Sequence, residues 1–185
     1  MGVAVAIGAA LDLGGRERRL GPDDLVVSKT DSKGIIRYVN STFCRISGFA
    51  EHELLGRPHN VVRHPFMPAV IFRGMWRSLK AREEVFVYVV NRCKNGDHYW
   101  VLAHVTPTIA PGGEIVGHHS TRRAPPGGVP REVIELYREL SSLEGEAPSR
   151  RAGMERAAPR LETALAPWNG DLSAWTMTLA GGTPR

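Results

Sequence analysis

Cysteines and long apolar runs are both scarce in this 185-residue chain. The only cysteines are Cys44 and Cys93. Two thiols cannot build a disulfide framework or a four-thiolate zinc site, so we expect both to be buried and reduced. The longest uninterrupted apolar run, Val85 to Val90, is far shorter than the roughly 20 residues that span a bilayer. The N-terminal apolar stretch precedes its charges instead of following them, which fits a secretory signal poorly. We therefore expect a cytoplasmic protein without membrane insertion.

The chain also lacks any cluster of basic residues, although its net charge is +5. The whole excess lies in residues 21–123, which hold 14 lysines and arginines against 9 acidic residues. No run of five basic residues and no basic helical stripe occurs there. The pattern argues against nucleic acid as a partner. A small anionic ligand inside a folded domain uses scattered positive charges equally well.

Recognisable catalytic motifs are missing as well. No serine lies in a nucleophile elbow, and neither a glycine-rich phosphate loop nor a metalloprotease helix is present. Asp97, His98 and His104 suggest an acid–base group, but strand alternation places the two histidines on one face and Asp97 on the other. We therefore expect that the protein is not an enzyme.

The pattern of apolar and turn residues predicts an α+β fold. Two strands, short helices, one longer helix and three further strands follow one another, with Asn95-Gly96 as the strongest hairpin signal. A five-stranded antiparallel sheet with its helices on one face accommodates this order. Residues 1–21 form an N-terminal arm, 22–124 a sensor domain and 125–185 a C-terminal helical extension. The predicted strands are 25–28, 35–39, 85–93, 97–109 and 114–121, and the predicted helices are 41–46, 51–55, a helix opening at 67, 129–143, 151–165 and, less firmly patterned, 172–179.

The densest polar cluster is PHNVVRHP at residues 58–65, where His59, Asn60, Arg63 and His64 share one proline-bounded loop. One interpretation is a solvated loop. The other is the rim of a ligand site, in which Arg63 binds a phosphate or carboxylate and its neighbours add hydrogen bonds. A metal site is disfavoured, because the histidines are five residues apart and Arg63 would repel a cation.

A second group of candidates lies on the predicted sheet and on the longer helix. Asn91 ends an otherwise apolar strand, interpreted as central, where an amide needs partners. Trp76 and Trp100 are interpreted first as core residues, with a ligand-lining role as the alternative. A pocket with a polar edge and aromatic walls is the arrangement that these residues suggest.

The segment from about Asp24 to Arg123 resembles the PAS domain of bacterial aerotaxis receptors. The matching stretches are IIRYVNSTFCRISGFAEHELLGRPHNVVRHPFMP, MWRSLK and NRCKNGDHYWV. The resemblance implies a PAS fold that holds FAD non-covalently and reports oxygen or respiratory electron flow to a signalling partner, such as the chemotaxis machinery. FMN is less favoured than FAD. Carried over residue by residue, the resemblance implies cofactor contacts at Asn40, His59, Asn60, Arg63, His64, Trp76 and Asn91.

The chain departs from that family at two points. Phe66 follows the Arg63-His64-Pro65 triplet, where the family usually has aspartate. The sixty or so residues beyond the domain show no membrane anchor, HAMP domain or signalling coiled coil, so we expect a free-standing sensor that acts on a partner or as a homodimer through its C-terminal helices.

Two other PAS types stay open as alternatives. The first is a haem-binding gas sensor, and the second is a cofactor-free interaction or dimerisation module. The LOV photoreceptors, which are also flavin-binding PAS domains, need a cysteine where this chain has His59. For that reason we expect no cysteinyl adduct under blue light.

Overall fold

The computed structural model describes residues 13–181. Five antiparallel strands form a single sheet among these residues, in the order β2-β1-β5-β4-β3. Chain order and strand order differ because β5 inserts between β1 and β4. The predicted five-stranded antiparallel sheet is confirmed. The strands are β1 (Val26–Asp31), β2 (Ile36–Val39), β3 (Val85–Arg92), β4 (His98–Ile109) and β5 (Ile115–Arg123).

The helices follow the predicted order with shifts of a few residues at their ends. Asn40 caps the first helix by accepting a hydrogen bond from the Phe43 N–H, and Gly48 ends it with a φ of 73° that favours glycine. Prolines in residues 58–65 limit that loop to one 3₁₀ turn, His59–Val62. The helices are α1 (Ser41–Ser47), α2 (Glu51–Leu54), α3 (Ala69–Lys80), α4 (Arg131–Gly145), α5 (Arg150–Leu165) and α6 (Leu172–Leu179).

One face of the sheet, here the inner face, packs towards α1 and α3. The register pairs Ser28 with Ser120, Ser120 with Val105, and Val89 with Val101 across neighbouring strands. Because side chains alternate along a strand, every second residue from these positions lies on the same face. The inner face is apolar on β3 and β4 and becomes polar on β1 and β5. The polar residues of β1 and β5 on the inner face are Ser28, Thr30, His118, Ser120 and Arg122.

The third strand lies at the edge of the sheet, so the interpretation of Asn91 as ending a central strand is wrong. The apolar composition of β3 has another cause: α6 packs along it, and the Ser173 hydroxyl accepts a hydrogen bond from the Phe86 N–H at 3.0 Å. A covered edge buries a strand as effectively as a neighbouring strand does. The C-terminal helices therefore complete the sheet at the place where pairing stops.

The helical extension also packs on the outer face and on α3. Val133, Leu136, Tyr137 and Leu140 of α4 are buried, and the Tyr137 hydroxyl donates to the Tyr88 carbonyl at 2.8 Å. Val133, Leu136 and Leu140 lie at helical spacing within the helix predicted over residues 129–143. The helix docks on the domain through these residues and Tyr137.

Truncation after Arg123 should lower the stability of the domain. It would uncover the β3 edge, the Tyr88 carbonyl and the apolar surface under α4 and α6, and each fully buried large side chain contributes roughly 1.5–3 kcal/mol. We expect a melting temperature at least 10 °C lower, and binding of a hydrophobic dye, measured by thermal unfolding. An equal melting temperature for the truncated domain and the full chain would show that the extension does not stabilise the domain.

The N-terminal arm is docked over the part that the structure describes. Residues 16–18 pair with His98 by two backbone hydrogen bonds of 2.7 and 3.1 Å, and Leu13 and Leu20 are buried. The predicted N-terminal arm is therefore attached to the domain from residue 13 onward, and its first twelve residues lie outside the described range. Attachment places Leu13 beside the loop that carries His64.

Candidate functional site

A cavity of about 250 Å³ lies between the inner face of the sheet and α3. Its α3 wall is largely apolar, whereas its sheet wall is apolar on β3 and β4 and polar on β1 and β5. No carboxylate lines the cavity among residues 13–181, although two arginines from the domain do. A cavity with cations and no acids favours an electron-rich or anionic ligand. The lining residues are Ser28, Thr30, Lys33, Gly34, Pro58, His59, Asn60, Arg63, Phe72, Met75, Trp76, Leu79, Val89, Asn91, Ala103, Val105, His118, Ser120, Arg122 and Arg150.

The polar end of the cavity is built around Arg122. This side chain is 7% exposed, and its Nη2 donates to Ser28 Oγ at 3.1 Å and to His59 Nε2 at 2.8 Å. Its Nη1 has no hydrogen-bond partner within residues 13–181, and its guanidinium lies 5.5 Å from the centre of the Phe43 ring. Burial lowers the pKa of Arg122 to about 10, so the group stays charged at neutral pH. A buried cation without a counter-charge is costly, which points to a partner supplied from outside the chain.

His59 is held neutral beside Arg122. Burial, and then the positive charge of Arg122, lower the pKa of His59 to about 3. Because the guanidinium donates to Nε2, this nitrogen must be the acceptor and Nδ1 must carry the proton. The Ser28 hydroxyl lies 3.1 Å from the same nitrogen. His59 therefore orients Arg122 without adding a second charge.

Several buried polar atoms of the cavity have no hydrogen-bond partner among the described residues. They are Nδ1 of His118, Oγ of Ser120 and Oγ1 of Thr30, all from the inner face, together with Nη1 of Arg122. The ring of His118 packs edge-on against Trp76, with centroids 5.0 Å apart. Buried polar groups are normally paired, so four unpaired atoms around one cavity indicate a ligand with several hydrogen-bonding atoms.

The exposed residues of the lining, Lys33, Pro58, Asn60 and Arg150, mark the mouth of the cavity beside the 58–65 loop. Arg63 donates from Nη2 to the Met67 carbonyl at 2.6 Å and lies 5.1 Å from the centre of the Phe72 ring. Lys33 from the β1–β2 turn and Arg150 from α5 line the same opening. The mouth therefore carries three cationic side chains.

Asn91 lies on the apolar side of the cavity, at the end of β3. Its backbone pairs with that of Arg63 in an isolated bridge, which joins the loop to the sheet. The residue is 5% exposed, and its amide makes no hydrogen bond to another described residue. An amide in this position is available to a ligand, as the sequence suggested.

Five of the seven predicted contact residues line the cavity and two do not. Asn40 is committed to backbone atoms: its Oδ1 accepts from Val27 and Phe43, and its Nδ2 donates to Leu25. His64 is buried, with Nε2 2.8 Å from the Leu13 carbonyl. The residues that line the cavity are His59, Asn60, Arg63, Trp76 and Asn91.

Phe66, where the family usually has aspartate, also lies outside the cavity lining. Its N–H donates to His64 Nδ1 at 3.1 Å, and its side chain packs against the core. The residue at this position therefore supports the His64 ring and the N-terminal arm.

The sequence reasoning missed the polar residues of the sheet. Ser28, His118 and Ser120 were not singled out as contacts, and Arg122 fell beyond the predicted end of the last strand. His118, Ser120 and Arg122 lie at every second position of a strand, but their neighbours are polar too, so alternation alone does not identify the inward-facing set. Neither cysteine lines the cavity, and residues 13–181 contain no cluster suited to a metal ion.

Comparison with known proteins agrees with this fold. The model of the PAS fold family matches residues 36–122. The chain is 42% identical over 123 residues to the aerotaxis receptor of Escherichia coli strain K12, a match that covers 66% of this chain. The chain contains a PAS domain of the aerotaxis-receptor type. The family predicted from the motifs is therefore confirmed.

A second relative of this PAS domain is more distant. The nitrogen fixation regulatory protein of Klebsiella pneumoniae is 28% identical over 99 residues, or 54% of this chain. The matches span only 24% of the aerotaxis receptor and 20% of the regulatory protein. The shared part is thus one segment of larger proteins.

Solved structures confirm the PAS fold. The dark structure of the blue-light photoreceptor aureochrome1 LOV has a TM-score of 0.52 at 18% identity, covering 64% of this chain and 86% of that one. A PAS domain from Colwellia psychrerythraea has a TM-score of 0.50 at 18% identity, covering 54% and 84%. Within residues 13–181, every helix is too short or too polar to cross a bilayer.

Proposed function

We propose that this PAS domain binds a flavin non-covalently and acts as a cytoplasmic redox or oxygen sensor. The observation that carries the proposal is the buried Arg122, charged and without an acidic partner, among unpaired polar atoms of one cavity. The similarity to an aerotaxis receptor supports the same function. FAD is the flavin proposed, and electron transfer to and from it is the chemistry that it supplies when bound.

The residues present fit a flavin. An isoalloxazine ring has a hydrogen-bonding pyrimidine edge and an apolar dimethylbenzene end, and the cavity offers both kinds of wall. Asn91, Ser120 and His118 can serve polar atoms, while Met75, Trp76 and Leu79 form the apolar wall. The cavity of about 250 Å³ is smaller than the roughly 300–1,000 Å³ of common ligand pockets. The phosphates of a flavin nucleotide would therefore lie outside the cavity, at its cationic mouth.

Arg122 supplies the property that a redox sensor needs. It carries a fixed positive charge in a poorly solvated site, so it favours any ligand state with additional negative charge. Neutral His59 holds the guanidinium in place and keeps the local charge at +1. The residue also belongs to β5, which pairs with both β1 and β4. A change in its hydrogen bonds is therefore transmitted to the centre of the sheet.

The proposed partner is a signalling protein, with the chemotaxis machinery as the example that the relative offers, and a second copy of the chain as a further candidate. The side chains of His119, Thr121 and Arg123 occupy the outer face of β5, opposite the cavity. A movement of β5 would therefore displace these outer-face residues directly. On this proposal the protein binds and signals and catalyses no reaction on a substrate.

The visible spectrum of the purified full chain tests the proposal. We expect an absorbance maximum at about 450 nm that bleaches with dithionite and returns in air. Asn91→Ala should retain at least tenfold less flavin, since a buried amide that loses its hydrogen bonds changes binding by about 1–3 kcal/mol. Arg92→Ala, at the exposed next residue, is the matched control and should retain the wild-type amount.

Three outcomes contradict parts of this account. A band at about 410 nm would indicate haem instead of flavin, and a colourless protein that takes up no added flavin would indicate an interaction module. Full flavin retention in Asn91→Ala would remove this residue from the site.

A further inference from the structure

The C-terminal helices contribute a side chain to the mouth of the cavity. Arg150, the first residue of α5, lines the opening together with Arg63 and Lys33, although it lies outside the PAS domain. Its neighbour Arg151 instead pairs with Glu155 along the helix. Arg150 makes no ion pair within residues 13–181. Two guanidiniums and an ammonium thus face one opening.

The same helices are tied to the wall of the cavity by Glu144. The two carboxylate oxygens of this residue, near the end of α4, accept hydrogen bonds of 2.7 Å from the N–H groups of Ala69 and Val70. These are the first two residues of α3, the helix that carries Phe72, Met75 and Trp76 into the cavity. The contact fixes the α4–α5 connection beside the opening, and with it the position of Arg150.

Like charges at the mouth repel one another in the absence of an anion. Burial, and then the proximity of Arg150, lower the pKa of Arg63, while Glu144 acts in the opposite direction. Both Glu144 oxygens are already committed to α3, so this carboxylate is not placed as a dedicated partner of either arginine. Repulsion of this kind is relieved by a ligand that carries more than one negative charge.

We propose that Arg150 and Arg63, with Lys33, bind the phosphates of the nucleotide whose ring occupies the cavity, so that the C-terminal helices form part of the cofactor site. The inference rests on the proposed flavin function and deepens it. A pair of linked phosphates matches three converging cations better than a single phosphate does, which favours FAD over FMN. Binding then couples to helix docking, because each stabilises the arrangement that the other requires.

Titration of the flavin-free full chain with FAD and with riboflavin, which lacks phosphate, tests this inference. Arg150→Ala should weaken FAD binding at least tenfold, as expected for the loss of a charge-assisted hydrogen bond, and should change riboflavin binding less than twofold. Arg151→Ala is the matched control and should bind both flavins as the wild type does. Limited proteolysis should show FAD, and not riboflavin, protecting the α4–α5 connection.

Each other result has a distinct meaning. Equal FAD affinity in Arg150→Ala and Arg151→Ala overturns the inference and leaves the flavin function standing. An equal loss of FAD and riboflavin binding in Arg150→Ala also overturns it, because the residue would then act on the fold instead of the phosphates. A wild-type chain that binds neither flavin refutes the proposed function itself.

Discussion

Replacing Arg122 with methionine should stabilise the flavin-free protein or leave its stability unchanged, and should lower the reduction potential of the bound flavin. The first effect arises because the guanidinium is buried and no carboxylate of the described residues pairs with it. Exchange of buried ionic groups for apolar ones of similar size is often neutral or stabilising by about 1–4 kcal/mol. A structural arginine would behave in the opposite way, since its removal would cost stability.

The second effect of Arg122→Met follows from the charge that reduction adds to the ligand. An opposite charge nearby commonly shifts an ionisation by about one to three pKa units. The same free energy corresponds to roughly 60–180 mV for a one-electron couple. We expect a midpoint potential at least about 60 mV lower, measured by spectroelectrochemistry. Arg123→Met, at the exposed next position of β5, is the control and should shift neither property.

A potential that is unchanged in Arg122→Met would show that the guanidinium does not respond to the redox state of the ligand. A large loss of stability in the flavin-free variant would show that its bonds to Ser28 and His59 are structural. Either result would remove Arg122 from the sensing mechanism.

Acidification should destabilise the flavin-free protein through His59. The pKa of this ring falls from 6.5 to about 3 on folding, so below pH 6.5 the unfolded chain binds a proton that the folded chain excludes. Stability is therefore complete above pH 6.5 and is lost as the pH falls towards 3. The loss is about 1.4 kcal/mol for each pH unit, on the order of 5 kcal/mol in total.

The variant His59→Gln isolates this effect, because glutamine still accepts a hydrogen bond from Arg122 and does not titrate. Urea unfolding between pH 7 and pH 4 should give a profile flatter than that of the wild type by about 1.4 kcal/mol per pH unit. The buried histidines His64 and His118 also have pKa values lowered by burial. They are present in both proteins, so their contributions to the pH dependence of stability cancel in the comparison. Parallel profiles would show that the His59 ring is solvated and titrates normally.

The fold was predictable because local signals agree along the chain. Asn95-Gly96 marks the β3–β4 hairpin, the spacing of Val70, Ile71 and Met75 marks α3, and Pro130 precedes α4. The position of β3 was not predictable from these signals. Its apolar run reflects coverage by α6, a contact made by a segment more than eighty residues later, and local periodicity carries no information about such contacts.

The site was predictable on its loop side and missed on its sheet side. His59, Asn60 and Arg63 stand out because a cluster of polar groups between prolines has no role in an ordinary core. His118, Ser120 and Arg122 did not stand out, because their neighbours His119, Thr121 and Arg123 are polar too and alternation cannot tell which set faces inward. Arg150 could not be predicted from the sequence for a different reason. It lines the site only because the C-terminal helices dock on the domain.

The proposed signalling function depends on a structural response to the redox state of the ligand. The measurement that tests it most directly is hydrogen exchange of the flavin-loaded full chain, oxidised and then reduced with dithionite. The account predicts altered exchange in β5, next to Arg122, and in α4 to α6, which contact the sheet and the cavity mouth, with reversal in air. Identical exchange in the two states would contradict a sensor and leave only a flavin-binding domain.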